Sequence, residues 1–228
     1  MYGPPPLGYS RPMAWMIAVA ALKGGVGKST VALTLATTLH AAKHRVLVAD
    51  CDPQGTCRAW AARAADEGHE GPAVVALDGR QLRRDLERVA AGVDVVIVDT
   101  PPRLGADARA AMLVADLVLL PTTPGAADLW ALQETIAVLA EVRAMRDVRA
   151  AVVLNRLDRT TLARLAREAA AELDVPTLSA TLGARVAFGE AILAGLGVVQ
   201  HAPESVAADE ARKLTAAVLA ALKGKAKR

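Results

Sequence analysis

A chain of 228 residues, 53% of them hydrophobic, holds enough apolar material for one sizeable α/β core, and with only 3% aromatics that core must be built from Ala, Val and Leu. No apolar run reaches the roughly 18 to 20 residues that span a bilayer, and Met1–Pro12 is rich in Gly and Pro without the charged and apolar regions of a secretory signal. The net charge of +3 is uneven: residues 212–228 carry Arg212, Lys213, Lys223, Lys225, Lys227 and Arg228 and no acid, which leaves the rest of the chain at −3.

In chain order, residues 1–14 read as a disordered leader, with Met13 or Met16 near the functional start. Trp15–Leu22 is a strand-like apolar run, followed by a glycine turn and a helical stretch to His40. A strand over Arg45–Ala49 ends at Asp50-Cys51-Asp52-Pro53, and a helix covers Thr56–Glu67. Ala73–Leu77 reads as a short strand, Gln81–Ala91 as a helix, and Val93–Val98 as an uninterrupted apolar strand ending at Asp99. Leu117–Leu120 is a strand, Leu129–Met145 a helix, and Arg149–Leu154 a strand ending at Asn155. A helix over Thr161–Leu173, a short strand over Thr177–Thr181, and helices over Val186–Ala194 and Glu204–Leu222 complete the domain, assigned to residues 15–222, with a basic tail at 223–228. Strands that are apolar throughout are buried on both faces, and their alternation with helices predicts a single α/β P-loop domain with a mostly parallel twisted sheet flanked by helices on both faces.

In such sheets functional side chains gather at the carboxyl ends of the strands. Lys23, Asp50, Asp52, Asp99 and Asn155 all fall there. The segment Lys23-Gly24-Gly25-Val26-Gly27-Lys28-Ser29-Thr30 sits between a strand and an apolar helix, where backbone N–H groups can curl around phosphate oxygens. Gly24, Gly25 and Gly27 permit the close backbone approach, Lys28 can reach the β- and γ-phosphates of a nucleotide, and the Ser29 hydroxyl can ligate Mg²⁺. Asp99, at the end of an apolar strand, can hold Mg²⁺ opposite Ser29. Asp50 and Asp52 precede a helix, so their residue types alone fit helix capping as well as chemistry. Cys51 and Cys57 show no metal or redox spacing and read as reduced thiols; His40, His44, His69 and His201 are scattered, and His40 and His44, one helical turn apart, have no nearby Cys or carboxylate to complete a site.

The phosphate loop has Leu22 where the general pattern G-x-x-x-x-G-K-[ST] requires Gly, and opens instead on a second lysine, Lys23. In this it resembles the deviant Walker A motif of the ParA/MinD superfamily of ATPases, most closely the small ParA type. Asp50-Cys51-Asp52-Pro53-Gln54-Gly55 resembles that family's D-x-D-P-Q-G segment, and Val95-Val96-Ile97-Val98-Asp99-Thr100-Pro101-Pro102 resembles its Walker B strand. The resemblance implies ATP and Mg²⁺ as cofactors, with Gly24 to Thr30 cradling the nucleotide. It also implies a Lys23 that acts in trans on the partner's phosphates, an Asp52 that positions the attacking water and assists the metal, and a γ-phosphate-sensing switch at Thr100 to Gly105. Val153-Leu154-Asn155-Arg156 resembles the strand end that contacts adenine, Pro121 through Leu132 a segment near the dimer interface, and Arg185 through Val198 a segment of nucleotide and DNA contacts.

The function implied is an ATP-dependent homodimeric switch with ATP sandwiched between protomers. It binds DNA non-specifically, positions or segregates a plasmid, chromosome or protein assembly, and hydrolyses ATP slowly until a ParB-like or cargo adaptor protein stimulates it. It would be cytoplasmic and nucleoid-associated. Arg185, Arg212, Lys213 and Lys223 are the candidate DNA contacts, since phosphates need only cations on one surface; Arg185 in an internal salt bridge and Lys213 on an ordinary exposed helix face are the alternatives. A MinD-like membrane switch needs the apolar stripe Leu214, Val218, Leu219 and Leu222 to lie on lipid, whereas the stripe has no bulky aromatics and better suits the last helix of the core. A metal-cluster carrier lacks its paired cysteines, and an ATP-dependent biosynthetic enzyme sits poorly with a trans-acting lysine.

Overall fold

The computed structural model describes residues 14–102 and 105–224. The expected leader up to Met13, Arg103 and Leu104 of the expected switch, and Lys225, Lys227 and Arg228 of the basic tail lie outside the described residues.

Six strands, β1 (Trp15–Val19), β2 (Val46–Asp50), β3 (Ala73–Ala76), β4 (Val95–Asp99), β5 (Leu117–Thr122) and β6 (Arg149–Leu154), form one all-parallel sheet in the order β3-β2-β4-β1-β5-β6. The helices between them are α1 (Lys28–Ala41), α2 (Thr56–Asp66), α3 (Leu82–Val89), α4 (Ala106–Val114) and α5 (Ala126–Met145), and α6 (Thr161–Ala171) follows β6. After β6 and α6 come α7 (Val186–Leu193), the single turn α8 (Val198–His201) and α9 (Val206–Lys223).

The two-residue pleat divides every strand between two cores. Ile17, Val19, Val48, Val95, Ile97, Leu119 and Val153 face α1, α2, α7 and α9. Met16, Ala18, Leu47, Val96, Val98, Leu120 and Val152 face α3 to α6. The same parity carries forward to the polar residues that end the strands. Asp50, Asp99 and Asn155 continue the α1-facing rows of β2, β4 and β6, and Asp99 stands in register with Asp50 on one side and Val19 on the other. Between β1 and its neighbours the winding direction reverses, since β4 and β5 flank β1 on opposite sides; crevices for ligands open at that point of a parallel sheet.

One expected strand is absent, one helix is additional, and the last helix packs into the core. Thr177–Thr181 is no strand: Thr177 makes a single bridge to Val152, and a second isolated bridge joins Leu157 to Gly183. The segment shadows β6 through Leu178 N–H to Val152 O and Leu182 N–H to Leu154 O, but without the continuous ladder of a seventh strand. Helix α4 was not expected, because Ala, Asp and Arg at its start hide the apolar period; Ala108, Ala111 and Met112 nonetheless bury one face against the sheet. The stripe Leu214, Val218, Leu219 and Leu222 is fully packed into the α1-side core, so it is not the lipid-lying face that the membrane alternative needs. Among the described residues no helix is long and apolar enough to cross a membrane.

Candidate functional site

The loop between β1 and α1 is built around two glycines in left-handed conformations, Gly25 at φ +82° and Gly27 at φ +93°. Gly27 also caps α1, its carbonyl accepting from Val31 N–H at 2.9 Å. A Cβ on Gly27 would stand 2.1 Å from Asn155 Nδ2, so glycine is required there on two counts. Gly24 leaves its Cβ direction in ordinary contact with Pro102, which brings the segment after β4 against the loop. No acid occupies the first turn of α1, which leaves its amide-rich start electropositive.

Lys28 is buried at 6% exposure and its Nζ donates to the Lys23 carbonyl at 3.3 Å. Burial holds its pKa below the usual lysine value, with the charges of Asp99 and Asp52 acting in the opposite direction. A partly desolvated ammonium at the start of a helix, beside free amides, is matched to an incoming polyanion.

Asp99 is wholly buried. Burial pushes its carboxyl up to about 6, while hydrogen bonds from Ser29 and Cys57 and the charge of Lys28 favour the ionised form. The Cys57 thiol donates to Asp99 Oδ2 at 3.3 Å, whereas Asp99 Oδ1 is buried with no partner. A buried carboxylate oxygen without a donor is costly unless a cation or an ordered water completes it. Ser29 on one side and the open Oδ1 on the other fit a hard cation of the Mg²⁺ class, which takes one or two protein oxygens and completes its shell from phosphates and water. Among the described residues no cluster of three or more His, Cys, Asp or Glu could hold a metal without such help.

The two acids after β2 have different jobs. Asp50 is 2% exposed and fully engaged: Oδ1 accepts from Asp52 N–H at 3.1 Å, and Oδ2 accepts from Arg58 N–H at 3.0 Å and pairs with the Arg58 guanidinium at 3.4 Å. It therefore fixes the start of α2, as the capping alternative allowed. Asp52 spends Oδ1 on Gln54 N–H at 2.9 Å, while its carboxylate lies close enough to Lys28 to favour the charged ammonium.

Asn155 is 3% exposed, and both ends of its amide meet backbone: Nδ2 donates to Val26 O at 2.9 Å and Oδ1 accepts from Arg156 N–H at 2.9 Å. The expected adenine contact is thus placed as a brace beneath the phosphate loop. Lys23 also has a partner that the sequence reading did not supply. Its ammonium pairs with Asp128 at the start of α5, and Thr123 Oγ1 donates to the same carboxylate.

The structure brings together Lys23, Gly24, Gly25, Val26, Gly27, Lys28, Ser29, Thr30, Asp52, Asp99 and Asn155, but not the candidate DNA contacts. Arg185 forms a bidentate pair with Glu210, at 2.7 Å for the closer contact, and so takes the internal salt bridge held open as its alternative. Arg212 is held by Asp209 at 3.1 Å and by the Pro203 carbonyl at 2.8 Å. Lys213 is exposed on α9, and Lys223 ends that helix. Cys57, Arg58 and Asp128 were missed as parts of the site. Only their nearness to the acidic and post-β5 segments hinted at them, because each contact crosses between elements. Burial pushes the thiol pKa of Cys51 up to about 12 and raises that of Cys57 further, so both remain protonated donors.

Strand–glycine loop–helix with a buried lysine, an in-register acid at the end of a neighbouring strand, and an open carboxylate oxygen define a P-loop nucleotide-binding protein that takes a nucleoside triphosphate with Mg²⁺. Residues 17–198 match the family of the CobQ/CobB/MinD/ParA nucleotide binding domain, and the chain belongs to that family. It is an ATPase of the ParA/MinD kind, using ATP and Mg²⁺. Among its relatives, maintenance of carboxysome distribution protein A of Gloeobacter kilaueensis is 39% identical over 195 residues, covering 81% of this chain and 84% of the relative. The protein of the same name from Halothiobacillus neapolitanus is 31% identical, covering 88% and 94%. The chromosome-partitioning ATPase Soj of Thermus thermophilus is 30% identical, covering 90% and 95%. The septum site-determining protein MinD of Pyrococcus horikoshii, solved with Mg-ADP, shares the fold at a TM-score of 0.72 and 24% identity, over 94% of this chain and all of that one.

Proposed function

We propose that residues 15–222 form an ATP-driven positioning switch that dimerises around ATP, binds duplex DNA without sequence preference and is released when a cargo-bound partner protein stimulates hydrolysis. The observation that carries this reading is the placement of Lys23. Its side chain is 41% exposed and leans on Asp128 at the start of α5, outside the cradle that Lys28 serves. A fixed cation near the γ-phosphate lowers the barrier to phosphoryl transfer. A lysine held at the rim supplies that cation to a neighbour's nucleotide once the Asp128 pair is given up, which ties hydrolysis to dimerisation.

Within each site, Lys28 neutralises the β- and γ-oxygens while the amides of Gly24 to Thr30 cradle them. Ser29 and Asp99 would hold Mg²⁺, which would supply Lewis-acid stabilisation of the developing charge. Asp52 orients the attacking water, and Thr100 to Gly105, already against Gly24 through Pro102, relays the state of the γ-phosphate. The products are ADP and phosphate. Relatives named for carboxysome distribution and chromosome partitioning support a cargo that is a protein assembly or a DNA complex, and a cytoplasmic, nucleoid-associated location. The buried stripe of α9 leaves the membrane alternative without its anchor.

The test combines light scattering with titration onto random-sequence duplex DNA, each with ATP and with ADP. Dimers and salt-sensitive DNA binding that require ATP support the reading. A chain that stays monomeric with ATP, or binds DNA equally in both nucleotides, sinks it.

A further inference from the structure

An open cleft of about 740 Å³ lies beyond the carboxyl end of β6, lined by Leu157 to Thr161, by Arg164 and Arg167 of α6, and by Thr181 and Gly183 to Arg185 with Glu210. It holds four arginines against two acids, Asp158 and Glu210. Glu210 is countered by Arg185, whereas Asp158 keeps its negative charge while bound by Thr160, so the lining carries a surplus of positive charge. Asp158 Oδ1 accepts from Thr160 N–H at 3.1 Å and from its hydroxyl at 2.5 Å, and Glu210 takes Arg185 and the Gly183 N–H at 2.9 Å. Arg164 is neutralised by Glu168 at 2.7 Å. Arg159 and Arg167 are exposed and make no ion pair or side-chain hydrogen bond among the described residues. Arg164 and Arg167 stand three residues apart and share a face of α6, whose capped N-terminus adds positive potential to the same wall.

We infer that this cleft and the α6 face beside it seat the sugar-phosphate backbone of duplex DNA, with Arg159 and Arg167 as the principal phosphate contacts. The inference rests on the DNA-binding reading and shifts its principal contacts, because Arg185 and Arg212 are each already paired with a carboxylate at the surface. All the lining cations are exposed; a small phosphorylated ligand would call for buried, converging donors, whereas a polyanion running across a surface needs only cations on one face. The cleft shares the carboxyl-end rim of the sheet with the phosphate loop, and Asn155, two residues before the lining residue Leu157, donates to Val26 of that loop.

The experiment is fluorescence anisotropy of a labelled random-sequence duplex with the full chain, in ATP and in ADP, between about 50 and about 200 mM salt, comparing wild type, Arg159→Ala/Arg167→Ala and Arg212→Ala. The double variant removes two unpartnered exposed charges, so the fold and ATP affinity are retained. Its affinity falls tenfold or more, and the slope of log K against log salt shrinks by about 0.9 for each arginine removed. Arg212→Ala changes the slope little. A double variant with wild-type slope and affinity overturns the inference while the DNA reading stands. A wild type that ignores DNA in both nucleotides overturns both. Loss of ATP affinity in the double variant assigns the cleft to the nucleotide instead. Arginine-dependent binding to phosphatidylglycerol vesicles in place of duplex replaces the partner, and overturns the inference as well.

Discussion

Replacing Gly27 with Ala tests whether the phosphate loop is braced from β6. Two costs follow from the geometry. At φ +93° an alanine meets the left-handed penalty of about 1–2 kcal/mol. Its Cβ, at 2.1 Å from Asn155 Nδ2, also expels a buried side chain from its bond to Val26 O, leaving donor and acceptor unsatisfied at about 1–3 kcal/mol. The sum, about 3 kcal/mol, lowers Tm by roughly 6–12 °C for a domain of this size. In an Asn155→Ala background the clash has no target, and Gly27→Ala costs only the backbone part, about 1–2 kcal/mol. The assay is urea denaturation of the four nucleotide-free proteins of this cycle, with unchanged m-values as the condition for reading them. An equal cost of Gly27→Ala in both backgrounds would falsify the brace and return Asn155 to the base-contact role.

Lys28→Ala should abolish ATP binding in calorimetry with the circular dichroism spectrum unchanged, and Asp52→Ala should bind ATP yet leave a long-lived dimer; normal hydrolysis by the latter removes Asp52 from its assigned role. Asp99 gives a pH signature. Its folded pKa of about 6 lies above the ordinary carboxylate value of about 4, so between these pH values the folded chain holds a proton that the unfolded chain has released. Stability therefore falls as pH rises from about 4 to about 6, by roughly 3 kcal/mol, and Asp99→Asn abolishes that component while weakening Mg²⁺-dependent ATP retention. A wild-type-minus-variant difference that is flat across the window contradicts this. Asp128→Ala frees Lys23 at a stability cost under about 1 kcal/mol, as expected of a half-exposed pair. It shifts ATP-dependent dimerisation to lower protein concentration, and an unchanged dimerisation curve shows that the pair does not restrain the lysine.

Chemistry concentrated in contiguous stretches was legible in the sequence by itself. The loop from Lys23 to Thr30 carries its glycines, lysine and hydroxyl at fixed local spacing, and Val95 to Asp99 announces a buried strand with an acid at its end, so class, cofactors and sheet type followed from residues adjacent in the chain. Tertiary structure alone decided the pairings across elements. Strand order and pleat parity put Asp50, Asp99 and Asn155 on one face, and only then could Asp50 be assigned to Arg58, Cys57 to Asp99, Asn155 to Val26 and Lys23 to Asp128. The same holds for charge. Sequence counts cations but cannot tell which are paired: a salt bridge at Arg185 was one of two options, and only the fold sets Glu210 against it and Asp209 against Arg212, and leaves Arg159 and Arg167 unpaired among the described residues at the edge of a cleft. Local spacing encodes what one segment can bind; which side chains remain available to bind it depends on contacts between segments far apart in the chain.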